Sequence, residues 1–177
     1  RYVIYNYMEK TWYYGSLGRT AWLDSGLRKN PLAATYNNVL VNHELGVDDK
    51  ETATTAAIAA HIVSAEFDLN DGHQFSFVNK IIPDITFDGS TADSPVVTMT
   101  LNPLTSSGSG YKTVTSEGGS NNATITRTSA ADIEKYTEQL HVRIRARQMS
   151  MRIESSVEGV TWQLGSPRLD MRPDGRR

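Results

Sequence analysis

The sequence predicts an all-β chain, and three observations carry that expectation. Stretches rich in β-branched and aromatic residues recur along its 177 residues, and such side chains suit a pleated, half-buried surface. Clusters of Gly, Pro, Asn and Asp separate them, supplying the backbone conformations that turns need. Nowhere does an apolar period of 3.6 residues persist long enough to define a helix. The clearest strand is Val142-Arg143-Ile144-Arg145-Ala146-Arg147. Its alternation places arginines 143, 145 and 147 on one face and Val142, Ile144 and Ala146 on the other.

From the first residue onward, 2–7 (Tyr-Val-Ile-Tyr-Asn-Tyr) and 11–14 (Thr-Trp-Tyr-Tyr) flank the polar turn Met8-Glu9-Lys10 and read as a hairpin. Residues 18–23 form a further strand. Asp24-Ser25-Gly26 and Lys29-Asn30-Pro31 are turns, and 32–36 pairs with 39–42 across Asn37-Asn38. Short strands packed into about forty residues match the size of one four-stranded propeller blade. Residues 1–46 are therefore expected to be a propeller-like blade. Because Arg1 is no initiator methionine and the chain opens directly on strand-type residues, this blade is expected to end a longer N-terminal region.

Residues 47–55 are polar, charged and aperiodic, the expected linker. Alanines in 56–61 favour helix on propensity, but Ile62, Val63, Phe67 and Leu69 lead into the Asp71-Gly72 turn, so the reading is strand, over 62–69. Further strands are expected at 74–82, 85–87 and 96–101, separated by Pro83-Asp84 and Asp88-Gly89-Ser90. From 105 to 131 the composition turns to Ser, Gly, Thr and Asn. Little apolar surface is available there to offset a backbone ordering cost of roughly 1–2 kcal/mol per residue. A long flexible loop is expected, with one weak hairpin at 111–115 and 123–128. Strands at 140–153 and 160–165 complete 56–177 as an antiparallel, sandwich-like β unit.

Catalytic signatures are missing from the sequence. There is no cysteine, and His43, His61, His73 and His141 are scattered without ligand spacing. No nucleophile elbow, phosphate loop or dinucleotide fingerprint occurs. Asp68-Leu69-Asn70-Asp71-Gly72 is one residue short of a calcium-loop spacing and lacks the closing glutamate, so a hairpin turn explains it better. Asn122-Ala123-Thr124 fits a glycosylation pattern and carries no weight by itself. Ser155-Ser156-Val157-Glu158-Gly159-Val160-Thr161-Trp162 is similar to the Asp-box hairpin of sialidase-type propellers, but Val157 stands where the aspartate belongs. A tight turn at Gly159 before a strand anchored by Trp162 accounts for it. No enzyme activity, metal or cofactor is expected.

A formal charge of −2 gives no bulk field for wrapping nucleic acid. No run approaches the ~18 apolar residues of a membrane helix, so insertion by this segment is not expected. Local basic patches remain. Arginines 143, 145 and 147 are either a solvated strand face that guards an edge, or guanidinium forks for a neighbour's carboxylates or for phosphates. Arg168, Arg172, Arg176 and Arg177 repeat the choice, interleaved with Asp170 and Asp174. Mixed charge suits a protein contact better than a nucleic-acid track, since aspartates repel phosphate.

Taken in order, several segments resemble the tail nozzle or hub ("packaged-DNA stabilisation") proteins of short-tailed bacteriophages. They are the tyrosine-rich hairpin through Trp12, Ala21-Trp22, Asn30-Pro31-Leu32-Ala33, Phe67-Asp68-Leu69 with Asp71-Gly72, Ile81-Ile82-Pro83-Asp84, the arginine strand, and the closing Trp162-Gln163-Leu164-Gly165-Ser166-Pro167-Arg168-Leu169-Asp170 with Arg172-Pro173-Asp174-Gly175-Arg176-Arg177. The resemblance covers most of the chain and rests on order and spacing. It implies a virion structural protein forming a sixfold homo-oligomeric ring around the DNA exit channel, through whose lumen DNA passes without sequence recognition. Adaptor, fibres or spikes would be its other partners. The alternative is a propeller-associated carbohydrate-binding or glycan-hydrolysing protein using Trp12, Tyr13, Tyr14 and Trp22 as sugar platforms. Hydrolysis would need paired carboxylates roughly 5–10 Å apart in a cleft, whereas the acidic residues fall in turns and the linker.

Overall fold

The computed structural model describes residues 1–69, 72–104 and 129–175. The chain divides into two compact units, Arg1–Ala56 and Ala57–Arg177. Among the described residues it is built from antiparallel strands, with no helix and no closed sheet.

In the first unit, β1 (Tyr2–Asn6) pairs with β2 (Thr11–Gly15). Asn6 holds the turn between them: its Oδ1 accepts the backbone N–H groups of Met8 and Glu9 at 3.1 and 3.2 Å. At the open end Tyr2 faces Gly15, and its ring fills the space a Cβ would need. A separate sheet joins β3 (Arg19–Leu23), β4 (Leu32–Thr35) and β5 (Leu40–Asn42). Thr35 shapes the β4–β5 turn, its buried hydroxyl accepting the N–H of Asn37 at 3.2 Å, and Asn38 takes the left-handed conformation (φ 60°) that asparagine tolerates. The strands expected at 2–7, 11–14, 18–23, 32–36 and 39–42 are thus present within a residue or two, but distributed over two ladders.

Within the segment expected as linker, β6 (Asp48–Asp49) pairs with β7 (Ala56–Ala57). Within the first unit Glu51 reaches back to β3 and the β4–β5 turn, accepting from Arg19 Nη1 at 2.9 Å and Asn37 Nδ2 at 3.3 Å. Polar composition concealed a residue whose partners lie 32 and 14 positions upstream.

The second unit comprises β8 (Ala60–Val63), β9 (Phe67–Asp68), β10 (Ser76–Ile82), β11 (Ile85–Thr86), β12 (Val96–Leu104), β13 (Ser129–Glu134), β14 (Leu140–Ala146), β15 (Gln148–Ser155), β16 (Gln163–Leu164) and β17 (Arg168–Pro173). One sheet runs β14-β10-β17. A second runs β13-β12-β15-β8, with β9 also on β15, and β11 pairs with β16. A single hydrophobic cluster takes Val78 and Ile81 from β10, Val142, Ile144 and Ala146 from β14, Val97, Met99 and Leu101 from β12, Ile133 from β13, and Met149 and Ile153 from β15. Fully burying one such large side chain stabilises by about 1.5–3 kcal/mol, so this shared cluster holds the two sheets together.

Four sequence expectations need correction here. The strand expected over 62–69 is two, β8 and β9, because Ser64 interrupts the ladder: its N–H donates to Met151 O at 2.8 Å while its hydroxyl accepts from Met151 N–H at 2.9 Å. The strand expected over 140–153 is also two, since the chain leaves one sheet after Ala146 and enters the other at Gln148. Arg147 forms that corner, its N–H bonded to Leu104 O at 3.0 Å. Alternation alone does not register a strand that changes sheets. The strand expected over 160–165 shrinks to β16. Residues 129–131, expected in the loop, open β13, which pairs with β12 from Leu101↔Ser129 onward. The remainder of that loop, including the hairpin expected at 111–115 and 123–128, lies outside the described residues.

Candidate functional site

Period-2 geometry and burial together build a basic face on the outer side of the β14-β10-β17 sheet. On β14, Val142, Ile144 and Ala146 are buried while His141, Arg143 and Arg145 are exposed. On β17, Leu169 and Met171 point inward and Arg168, Asp170 and Arg172 outward. Between them Phe77 of β10 stands opposite both Arg145 and Arg172, and Lys80 opposite both His141 and Asp170. A bulge between Val78 and Lys80 lies across from Arg143.

The arginines divide by what they touch. Arg145 and Arg147 both lie over the ring of Phe75, at 4.1 and 4.7 Å from its centroid. Arg145 Nε donates to Asp174 Oδ2 at 2.5 Å and its Nη2 to Asp174 O at 2.9 Å, and Arg147 Nη1 donates to the carbonyls of Gly72 and His73 at 3.2 and 3.1 Å. These two therefore stitch the segment before β10 and the segment after β17 onto the sheet. Arg172 lies 4.8 Å from the Phe77 centroid. Arg143 and Arg168 are exposed, and their guanidiniums make no hydrogen bond or ion pair to any described residue. Arg176 and Arg177 lie outside the described residues. Phe75, Phe77 and Lys80 were missed by the sequence reading. Phe75-Ser76-Phe77-Val78 does alternate, but which arginines flank the rings depends on register.

The aromatic candidates do not form one platform. Trp12 and Tyr14 share a face of the β1-β2 hairpin with Val3 and Tyr5, while Tyr13 lies on the opposite face with Ile4 and Tyr2. All are exposed, Trp12 at 67 % and Tyr14 at 89 %, and Trp12 packs on Tyr5 with centroids 4.5 Å apart. Trp22 belongs to the other sheet and stacks on His43 at 4.6 Å. His43 Nε2 accepts from Arg19 Nε at 2.9 Å, which requires neutral imidazole at that nitrogen. Burial, helped by the Arg19 charge and opposed by Glu44, lowers its pKa below the ordinary 6.5.

The Asp-box-like segment is a tight turn, with Gly159 at φ 73°. Its carbonyl accepts the N–H groups of Thr91 and Ala92 at 2.8 and 3.0 Å, and a Cβ there would sit 2.9 Å from Ala92 N. Trp162 packs against the core cluster. Among the described residues no three His, Asp or Glu side chains gather to hold a metal ion, and no helix is long and apolar enough to cross a membrane. Comparison with protein-family models and with curated proteins finds no match.

Proposed function

We propose that this chain is a structural subunit of a short bacteriophage tail, of the nozzle or hub type, which assembles with copies of itself into a ring around the DNA exit channel. The observation that carries this reading is the β1-β2 hairpin. Tyr2, Ile4 and Tyr13 stand exposed on one face and Val3, Tyr5, Trp12 and Tyr14 on the other. A sheet with one solvated side alternates apolar and polar residues, whereas one packed on both sides is apolar throughout. Such a hairpin belongs between two covering surfaces, as a blade does between its neighbours. Among the apolar residues of the first unit only Pro31 and Ala33 are buried, which supports a unit that draws its stability from an assembly.

The hairpin's two apolar faces also support reading residues 1–46 as a terminal propeller-like blade. The cluster shared by two antiparallel sheets supports reading 56–177 as sandwich-like. The order of the segments from the tyrosine hairpin to Arg-Pro-Asp-Gly supplies the phage assignment. The test is purification of virions carrying this protein, with imaging of the tail after labelling of the chain. Label at the distal tail as a ring is the expected result, and label absent from virions overturns the reading.

A second reading has its own observation, because Trp12 and Tyr14 share one exposed face. A carbohydrate-binding module would lose glycan-array binding when both become alanine.

A further inference from the structure

The second unit carries opposite charge on its two outer faces. Outward from the β14-β10-β17 sheet stand Arg143, Arg145, Arg168, Arg172 and Lys80, with Arg147 at the corner, against Asp170 and Asp174. Outward from the β13-β12-β15-β8 sheet the residues alternate with buried Val97, Met99, Leu101, Ile133 and Ile153. They include Asp132, Glu134 and Glu154, with Asp68 on the β9 edge, against Arg152. Arg152 is already paired with Glu154 at 2.7 Å, and among the described residues Asp132 accepts the Thr98 hydroxyl at 2.8 Å. One face thus has an excess of cations and the other an excess of carboxylates.

We infer that these faces dock on each other between copies of this chain, the arginine face of one subunit against the acidic face of the next. This rests on the ring reading above and names the surfaces that build the ring. A contact between two different patches of the same chain is heterologous, and it generates a closed ring when the rotation per subunit closes. A twofold contact through the arginine face would instead set like charges against each other. The stacking of Arg145 and Arg147 on Phe75 and of Arg172 on Phe77 holds the guanidiniums in place before binding, so less side-chain freedom is lost when carboxylates arrive. Phosphate is the less fitting occupant, since Asp170 and Asp174 stand within the basic face.

The experiment is charge reversal with complementation on the full chain, read by sedimentation velocity. One variant carries Arg143→Glu and Arg168→Glu, and the other Asp132→Lys and Glu134→Lys. All four side chains are exposed, and circular dichroism checks that both variants fold. Each variant alone is expected to self-associate at least tenfold more weakly than the parent, and an equimolar mixture to recover assembly, because the reversed faces complement each other. If the parent forms rings and either variant does so equally well, or the mixture stays dissociated, this docking is overturned while the ring reading stands. A parent that remains monomeric overturns both. Loss of DNA affinity in the arginine variant with assembly intact assigns the face to phosphate and also overturns the inference.

Discussion

Asp84 and Gly165 lie locked together at the end of the β11-β16 pair. The Asp84 carbonyl accepts the Gly165 N–H at 2.9 Å, and its carboxylate accepts the Ser166 N–H at 2.6 Å. Asp84 itself takes a left-handed φ of 49°, and a Cβ on Gly165 would collide with the Asp84 carboxylate. The Pro83-Asp84 turn and the Trp-x-Leu-Gly segment, about eighty residues apart, are halves of one structure. Gly165→Ala is expected to destabilise by about 2 kcal/mol through this clash. Asp84→Ala in the same chain should return part of that loss, a coupling measurable by a double-mutant cycle in urea.

Among the described residues two buried hydroxyls go without partners. Ser76 Oγ and Ser150 Oγ are buried with no hydrogen bond among the described residues. A buried polar group left unsatisfied costs about 1–3 kcal/mol, while its replacement by a small apolar group is nearly neutral or stabilising. Ser150→Ala is therefore expected to leave the unfolding midpoint unchanged or raise it, unlike most core substitutions. A loss above about 1 kcal/mol would point to a hydrogen-bonding role.

Ile153 of β15 is fully buried in the cluster that both sheets share. Ile153→Ala should cost about 2–5 kcal/mol by chemical denaturation. The loss is expected in the transition of the second unit, to which that cluster belongs.

Acid should loosen the first unit through His43. Its folded pKa lies below 6.5, so its contribution is fully present above that value and is lost as pH falls through the folded pKa. Protonation removes the lone pair that accepts from Arg19 and places two cations side by side. Thermal stability and Trp22 fluorescence are expected to change together between about pH 7 and pH 5, and His43→Gln should flatten both. Glu154, whose pKa is lowered chiefly by the hydrogen bond from Arg152, acts in the same direction at lower pH.

The Arg145–Asp174 pair is nearly half exposed on both sides. Exposed pairs contribute roughly 0–1 kcal/mol, so Asp174→Asn should shift stability by less than about 1 kcal/mol. Its main effect is expected on the mobility of the segment after β17, read by amide hydrogen exchange at Gly175.

Period-2 alternation, turn residues and composition were enough for the all-β character, most strand positions and the two-sided nature of β14, because strand geometry alone sends successive side chains to opposite faces. The Asn37-Asn38 and Gly159 turns were legible for the same local reason, a demand on one residue's φ. Tertiary structure decided what depends on distant partners. Arg147 turns a corner between sheets, Ser64 replaces a ladder bond, and Glu51 leaves a polar stretch to meet Arg19. Register put Phe77 between Arg145 and Arg172, and only the packing of two sheets on one core set a basic face opposite an acidic one. Such contacts join residues far apart in sequence, and no local pattern encodes which of several equivalent charges will meet.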